Sequence, residues 1–177
     1  MGLAELICAA VIAIGMPNAD LACEHMDLVV EVSEQGDIRP EVLVALIHVE
    51  SRWTPRAVSR ANACGLTQVI PRFTGGRASN RVHYTCDELK DPITSIRAGA
   101  AIFSHWLHRY GRCRTGRCRT QNYTVGLCGY NAGYRCRGDR PNRHGMRYSA
   151  VVLRKASQIS SAMRRIENDA RNRKGTN

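Results

Sequence analysis

The spacing of apolar residues predicts helices along most of the chain, beginning with residues 20–33. Apolar and acidic residues mingle there at helical spacing, which predicts one amphipathic helix that ends near Gln35 and Gly36. Its apolar positions are Leu21, Met26, Val29 and Val30. Pro40 suits the first turn of a second helix, because its missing N–H needs no partner there.

On this second helix a carboxyl group lies among apolar side chains. Positions i, i+3, i+4 and i+7 are occupied by Leu43, Leu46, Ile47 and Glu50. An apolar environment penalises the charged form of a carboxyl group, so Glu50 is expected to stay protonated near neutral pH and to donate a proton. Cleavage of a glycosidic bond needs such an acid. The periodicity equally permits a helix-terminal Glu50 that pairs with Arg52.

The middle of the chain lacks the helical spacing of apolar residues. Between residues 51 and 89, Gly, Pro, Thr, Asn and Ser interrupt every long period, so loops and short turns are expected. Asp91 and Pro92 then form an N-cap and first-turn pair. Apolar residues keep helical spacing from there to Tyr110 and Gly111, which predicts a third long helix.

The C-terminal part is predicted to be helical as well. A basic connection over residues 112–120 leads to a short apolar piece over residues 123–130. Another helix is expected from about Ser149, and a polar tail over residues 168–177 should fray. No internal repeat or linker interrupts the pattern, which therefore predicts a mainly α fold with one domain over residues 21–167.

The N-terminal segment, residues 1–20, allows two interpretations. It is apolar but too short to span a bilayer, and it carries Glu5 where a secretory signal would normally have Lys or Arg. Cleavage after Ala19 or Ala22 would remove Cys8 and leave an odd thiol. The segment is either a signal or the first helix of the mature fold.

Cysteine content points to an oxidising compartment. The chain has eight cysteines, an even number that suits disulfides: Cys8, Cys23, Cys64, Cys86, Cys113, Cys118, Cys128 and Cys136. The sequence does not select their pairing. Scattered free thiols are one alternative. A zinc site is another, because His83 and Cys86, and also Cys113 and Cys118, have ligand-like spacing. We expect no metal and no cofactor.

Charge is distributed unevenly. Residues 1–50 hold nine acidic residues and one basic residue, Arg39, a balance of −8, and because the whole chain carries +11 the remainder carries +19. Such a basic remainder favours polyanionic partners, namely nucleic acid, an anionic membrane or a cell wall with carboxylates and phosphates. An Arg-rich face that is simply solvated is the alternative for any one cluster.

Five short motifs decide between these partners. They are ALIHVES (45–51), AVS (57–59), GLTQVIP (65–71), DPITSIRAGAAIF (91–103) and GYNAG (129–133). In order and spacing they resemble the catalytic domain of lytic transglycosylases, in the lysozyme-like superfamily. The resemblance covers residues 21–156, and each motif alone would be weak. It implies a lysozyme-like (goose-type lysozyme and lytic transglycosylase) helical domain with a loop-rich substrate groove.

The resemblance also implies the site residues. Glu50 matches the family's catalytic glutamate, and the expected groove residues are Ser59, Gln68, Ile70, Tyr130, Asn131 and Tyr148. Gln68 and Asn131 have donors and acceptors for acetamido groups, while a tyrosine can hydrogen-bond the acid. Each also has an ordinary structural explanation, such as a turn, a core position or a helix cap.

Two departures from the family pattern stand out. Thr67 replaces a methionine, and Ile70 stands where a second methionine is common, so we expect a narrower or reshaped groove. Gly129 replaces the alanine of the last motif and follows Cys128, so helix packing is expected to differ there. Neither departure touches Glu50.

The resemblance implies a single-acid reaction on peptidoglycan. Glu50 would protonate the bond between N-acetylmuramic acid (MurNAc) and N-acetylglucosamine (GlcNAc), and a 1,6-anhydro sugar would form. The other acids after it are Asp87, Glu88, Asp91, Asp139, Glu167 and Asp169, none a convincing second catalytic carboxylate. A goose-type hydrolase, in which Asp87 or Glu88 steers a water molecule, is the nearest alternative.

Two alternatives belong to other classes. One is a basic nucleic-acid-binding module, which eight arginines suggest: Arg112, Arg114, Arg117, Arg119, Arg135, Arg137, Arg140 and Arg143. The other is a wall-binding domain without activity, which would not need an acid on an apolar stripe. We expect a monomer that acts on glycan strands outside the cytoplasm, in the periplasm, in the wall, or as a secreted or virion-associated protein. Nucleic acid is not expected as a partner, whereas a secretion, conjugation or phage assembly apparatus is compatible.

Overall fold

The computed structural model describes residues 1–111, 122–137 and 142–174. Eight α-helices lie in these ranges: α1 (Leu3–Ala13), α2 (Ala19–Glu24), α3 (Met26–Gln35), α4 (Pro40–Ser51), α5 (Cys86–Leu89), α6 (Pro92–Trp106), α7 (Tyr123–Ala132) and α8 (Arg143–Lys174). Short 3-10 turns cover Pro71–Phe73, Arg77–Ser79 and Gly133–Cys136. The predicted mainly α fold is confirmed.

Helix α4 is the centre of the core. Every residue from Val42 to Ile47 is buried, so this stretch is enclosed on all sides rather than along one stripe. Helices α3 and α8 pack against it, and α1 in turn packs on α8. The surrounding helices thus position the last turn of α4.

The N-terminal segment forms a packed helix. Ile7, Ala10 and Val11 of α1 are fully buried in the main core, and a disulfide joins Cys8 to Cys23 of α2. This arrangement is the one expected if the segment is a helix of the fold. None of the helices in the described ranges has the length and apolar character to cross a membrane.

Two helix boundaries differ from the prediction. The single helix expected over residues 20–33 is interrupted at His25, whose φ of −105° and ψ of 11° are not helical, and the interruption separates α2, tied to α1 by its disulfide, from α3. Helix α8 begins at Arg143, before the expected Ser149, and continues to Lys174. The polar tail expected to fray is thus helical from residue 168 to Lys174. Its residues 168–173 are all exposed, so this part of α8 has no buried apolar face.

The third long helix agrees with its predicted ends. The Asp91 carboxylate accepts a hydrogen bond from the Thr94 N–H at 2.8 Å and so caps α6. A π-helical turn, Leu107–Gly111, extends the helix to the expected end.

Six cysteines form three disulfides in the described residues. Besides Cys8–Cys23 these are Cys64–Cys86 and Cys128–Cys136. Since Cys86 is bonded to Cys64, the alternative of a zinc site at His83 and Cys86 is wrong. Cys113 and Cys118 lie outside the described residues, as do Arg112, Arg114, Arg117, Arg119 and Arg140 of the arginine-rich stretch.

The loop between α4 and α5 is anchored on α6 through Thr67. Its N–H donates to Ser95 Oγ at 3.1 Å, and its hydroxyl donates to the Ser95 carbonyl at 2.8 Å. Both side chains are fully buried. The close approach requires a glycine opposite, because a Cβ on Gly99 would lie 2.4 Å from the Thr67 side chain.

We predict that Gly99→Ala destabilises the domain. Alanine gains about 1 kcal/mol of helix propensity over glycine, but a contact at 2.4 Å forces α6 and the loop apart and costs about 2–3 kcal/mol. Urea unfolding with intact disulfides measures the difference. Gly76→Ala is the control, since its Cβ would meet open space. Equal stability of Gly99→Ala and wild type would contradict the packing described.

Candidate active site

The acid predicted from the sequence lies in the last turn of α4. Glu50 precedes the final helical residue, Ser51, and both following residues have left-handed backbones, with φ of 52° at Arg52 and 59° at Trp53. Each such residue costs about 1–2 kcal/mol unless glycine occupies it. The fully buried Trp53 side chain and a 2.9 Å hydrogen bond from Asn18 Nδ2 to the Arg52 carbonyl hold the turn.

The Glu50 carboxyl group is held by α8. The Tyr148 hydroxyl donates a hydrogen bond to Glu50 Oε1 at 2.6 Å. Burial raises the pKa of Glu50 to about 7, although the hydrogen bond from Tyr148 acts in the opposite direction by favouring the carboxylate. The position at the negative end of the α4 dipole also disfavours the charged form. In the described residues Glu50 forms no ion pair with Arg52, so the alternative explanation of this glutamate is not observed.

Glu50 opens into a groove of about 1210 Å³. Five of the six other residues predicted for the site also line it, namely Ser59, Gln68, Ile70, Tyr130 and Asn131. Tyr148 does not line the groove. It contacts the Glu50 carboxyl group from α8, through the hydrogen bond described above. The groove thus brings together side chains that lie up to 81 positions apart in the sequence.

Ser59 and Gln68 shape one wall by binding the backbone. Gln68 has a positive φ of 50°, and its amide nitrogen donates to the carbonyls of Ala57 at 3.0 Å and Gly65 at 2.9 Å. Ser59 Oγ accepts from the N–H groups of Ala61 and Ala63 at 3.2 and 3.1 Å. The side-chain oxygen of Gln68, Oε1, can still accept a hydrogen bond from a ligand, and the Ser59 hydroxyl can still donate one.

Tyr130 and Tyr148 have different partners. The Tyr130 hydroxyl donates to the Thr67 carbonyl at 2.7 Å, which ties α7 to the loop before Gln68. Burial, followed by the charge of Glu50, raises the pKa of both phenols well above the usual value, so both stay protonated donors. Tyr148, rather than Tyr130, is therefore the tyrosine that bonds the acid.

The departures from the family pattern have different consequences. Thr67 is fully buried against α6 and does not line the groove, so any effect of this residue on the shape of the groove is indirect and stays a prediction. Ile70 does line the groove. At Gly129 a Cβ would lie 3.1 Å from both Trp106 and Tyr110, so the missing methyl group lets these rings approach α7 closely.

Sequence reasoning missed three aromatic residues of the groove, namely Phe73, Trp106 and Tyr134. Phe73 and Tyr134 line it and are 66% and 67% exposed. Trp106 packs edge-on against Tyr134 with 5.2 Å between ring centroids, and the Arg109 guanidinium lies 5.2 Å from the Tyr134 ring centre. Both exposed rings sit on short 3-10 turns, which have no periodicity to signal them.

The two carboxylates proposed for water activation are elsewhere. The Asp87 side chain is 91% exposed and pairs with Lys90 at 2.7 Å, which lowers the pKa of Asp87. Glu88 is engaged in the capping box of α5 with Thr85. Neither residue lines the groove.

Comparison with known proteins agrees with this geometry. The sequence profile of the transglycosylase SLT domain matches residues 27–148, which is more than half of the chain. The chain belongs to this family. The family predicted from the five motifs is therefore confirmed.

Individual relatives match a part of this chain. Membrane-bound lytic murein transglycosylase C from Actinobacillus pleuropneumoniae serotype 5b (strain L20) is 41% identical over 54 residues, 30% of this chain and 15% of the relative. The protein of the same name from serotype 3 (strain JL03) gives the same values.

A solved structure establishes the fold. An inactive mutant of lytic transglycosylase Slt from Pseudomonas aeruginosa superposes with a TM-score of 0.64 at 20% identity, over 90% of this chain and 30% of that chain. The predicted lysozyme-like helical fold is thereby confirmed. This chain spans 15% of the length of the transglycosylase C relatives that it matches and 30% of the Slt chain.

We predict that Tyr148→Phe raises the pKa of Glu50 above the wild-type value of about 7, because the lost hydrogen bond favours the carboxylate. A rise of roughly one pH unit is expected from one charge-assisted hydrogen bond. Carbon-13 NMR titration of the labelled glutamates measures it. Tyr123→Phe is the control, because the Tyr123 hydroxyl bonds the Arg39 N–H instead. An unchanged or lower Glu50 pKa would contradict the described contact.

Proposed function

We propose that this SLT domain cleaves the β-1,4 bond between MurNAc and GlcNAc in peptidoglycan as a lytic transglycosylase, with Glu50 as general acid and then general base. One observation carries the proposal: a carboxyl group with a pKa of about 7 opens into a large groove whose described lining residues include no second carboxylate. Two-carboxylate hydrolysis therefore has no second carboxylate among the described residues that line the groove.

The reaction proceeds in two proton transfers. Protonated Glu50 donates its proton to the glycosidic oxygen, the bond to MurNAc C1 breaks, and the acetamido oxygen of the substrate stabilises the positive charge. The Glu50 carboxylate then removes the proton from the MurNAc C6 hydroxyl, whose oxygen attacks C1. The acid is regenerated, no water is consumed, and the product ends in 1,6-anhydro-MurNAc.

The protonation state of Glu50 sets the pH range of this reaction. Because the acid form must be present at the first step, activity requires a pH at or below the pKa of about 7 and declines as the pH rises through it. The Tyr148 hydroxyl keeps the carboxyl group in one orientation and stabilises the carboxylate between the two steps.

The other groove residues are proposed to position the glycan. Gln68 Oε1, the Ser59 hydroxyl and the exposed Asn131 amide can bond acetamido and hydroxyl groups, while Ile70 supplies apolar surface. Tyr130 acts indirectly, because its hydroxyl is used by the Thr67 carbonyl.

The setting of this activity follows from composition. The disulfides suit an oxidising compartment, and a basic chain suits an acidic wall polymer, so we propose action outside the cytoplasm by a monomer. No cofactor takes part in the proposed steps. Nucleic acid is not a proposed partner, and a secretion, conjugation or phage assembly apparatus is a compatible setting.

We predict that Glu50→Gln folds and loses at least about 99% of its turnover on purified sacculi, because an amide cannot deliver the proton. Its free energy of unfolding at pH 8 should match or exceed that of wild type, since a buried carboxylate is penalised there. Glu41→Gln, on the same helix and outside the groove, is the control and should keep its activity. Turnover above a tenth of wild type in Glu50→Gln would place the acid elsewhere.

We also predict that mass spectrometry of the digest finds muropeptides that end in anhydro-MurNAc. These are lighter by about 18 Da, one water, than the reducing ends that a hydrolase leaves. Asp87→Ala and Glu88→Ala should give the same products as wild type, because neither side chain lines the groove. Reducing ends that disappear in either variant would establish the hydrolase instead.

A further inference from the structure

A second cavity adjoins the groove. It has a volume of about 700 Å³ and lies between α3, α6 and the loop that follows Arg77–Ser79. Arg77, His105 and Arg109 line both this cavity and the groove, so the two share a wall. We call it the basic side pocket, defined by Arg77, Arg97, His105, His108 and Arg109.

Two of these side chains already lie beside carboxylates. Arg97 pairs with Glu31 at 3.3 Å, and His108 lies 3.6 Å from the Asp37 carboxylate. Both acids stand outside the lining, and no acidic residue is found among the described residues that line the pocket. Among the described residues, the lining of the pocket is therefore uniformly basic in its charged side chains.

The other two arginines have no anionic partner among the residues that the structure describes. Arg77 makes no side-chain hydrogen bond or ion pair there, and the Arg109 guanidinium, which makes none either, lies 5.9 and 5.2 Å from the ring centres of Tyr110 and Tyr134. The positive charge of these arginines acts on His105, which also lines the pocket. Burial lowers the pKa of His105, and the nearby Arg109, Arg77 and His108 lower it further.

We propose that the basic side pocket binds carboxylate groups of the peptide stems that branch from the glycan strand in the groove. Guanidinium groups match carboxylates in geometry and bind them in a bidentate manner. The proposal rests on the proposed function, since it requires a glycan strand in the groove.

The shared wall explains why a stem peptide suits the pocket better than a free anion. A peptide attached to MurNAc is carried to the pocket when the strand binds, which gives its carboxylates a high effective concentration there. The pocket then acts on substrate choice: strands that keep their peptides bind better than strands from which an amidase has removed them.

The first test compares kcat/KM on glycan strands with and without stem peptides. Wild type should prefer peptide-bearing strands, and the ratio of the two values should fall about fivefold to tenfold in Arg77→Gln and in Arg109→Gln. Damage to the groove itself lowers both values and leaves the ratio unchanged. Arg97→Gln should change the ratio less, because Arg97 already has a partner, and Arg154→Gln, on exposed α8 surface, should not change it.

The second test does not depend on catalysis. A soluble glycan fragment with its stem peptide is titrated into Glu50→Gln protein, once with free carboxyl groups and once with these groups amidated. Amidation should weaken binding about fivefold to tenfold in Glu50→Gln, and this difference should disappear when Arg77→Gln is added. Equal binding of the two fragments, or displacement of the free-carboxyl fragment by inorganic phosphate or by a DNA oligonucleotide at equal concentration, would overturn the proposal. If the protein prefers the free-carboxyl fragment to the amidated one but wild type cleaves no glycan strand, the proposed role of the pocket stands and only the proposed reaction is wrong.

Discussion

The burial of one carboxyl group at the end of α4 is the constraint on which the site depends. Charge on Glu50 is disfavoured by burial, and only one described side chain, Tyr148, offers it a hydrogen bond. Because burial raises the pKa of Glu50, the stability of the domain depends on pH: Glu50 releases its proton near pH 4.5 in the unfolded chain and near pH 7 in the folded chain. Stability therefore falls by about 3 kcal/mol across that interval. This loss of stability accompanies a Glu50 carboxyl group that is still partly protonated at neutral pH.

The contacts of that site also connect the fold. Tyr148 brings α8 to α4, Tyr130 joins α7 to the loop of Thr67, and Thr67 fixes the same loop to Ser95 on α6. A buried polar group that loses its hydrogen bond is costly, so each of these bonds helps to set the position of its helix as well as that of a groove residue. The position of the Glu50 carboxyl group and the packing of the helices are consequently determined by the same interactions.

Sequence predicted what periodicity and local chemistry specify. The apolar stripe around Glu50 and the Asp91 cap are local patterns, and the structure has α4 and α6 where these patterns place them. Motif spacing predicted the family and the residues that the groove gathers. The break at His25, the burial of Thr67 and the exposure of Tyr134 accompany tertiary contacts: the Cys8–Cys23 bond joins α1 to α2, Thr67 bonds Ser95 on α6, and Tyr134 packs on Trp106. No spacing rule contains that information.

The left-handed turn after α4 has a consequence for how this domain can change. Trp53 must keep its side chain, which fills the core, but Arg52 is exposed and adopts a backbone that glycine would adopt with less strain. Glycine at Arg52 would relieve strain and also loosen the turn that orients the neighbouring carboxyl group. At this one position relief of backbone strain and rigidity of the turn beside Glu50 are opposed, so a substitution that relaxes the backbone at Arg52 would also hold the carboxyl group less firmly.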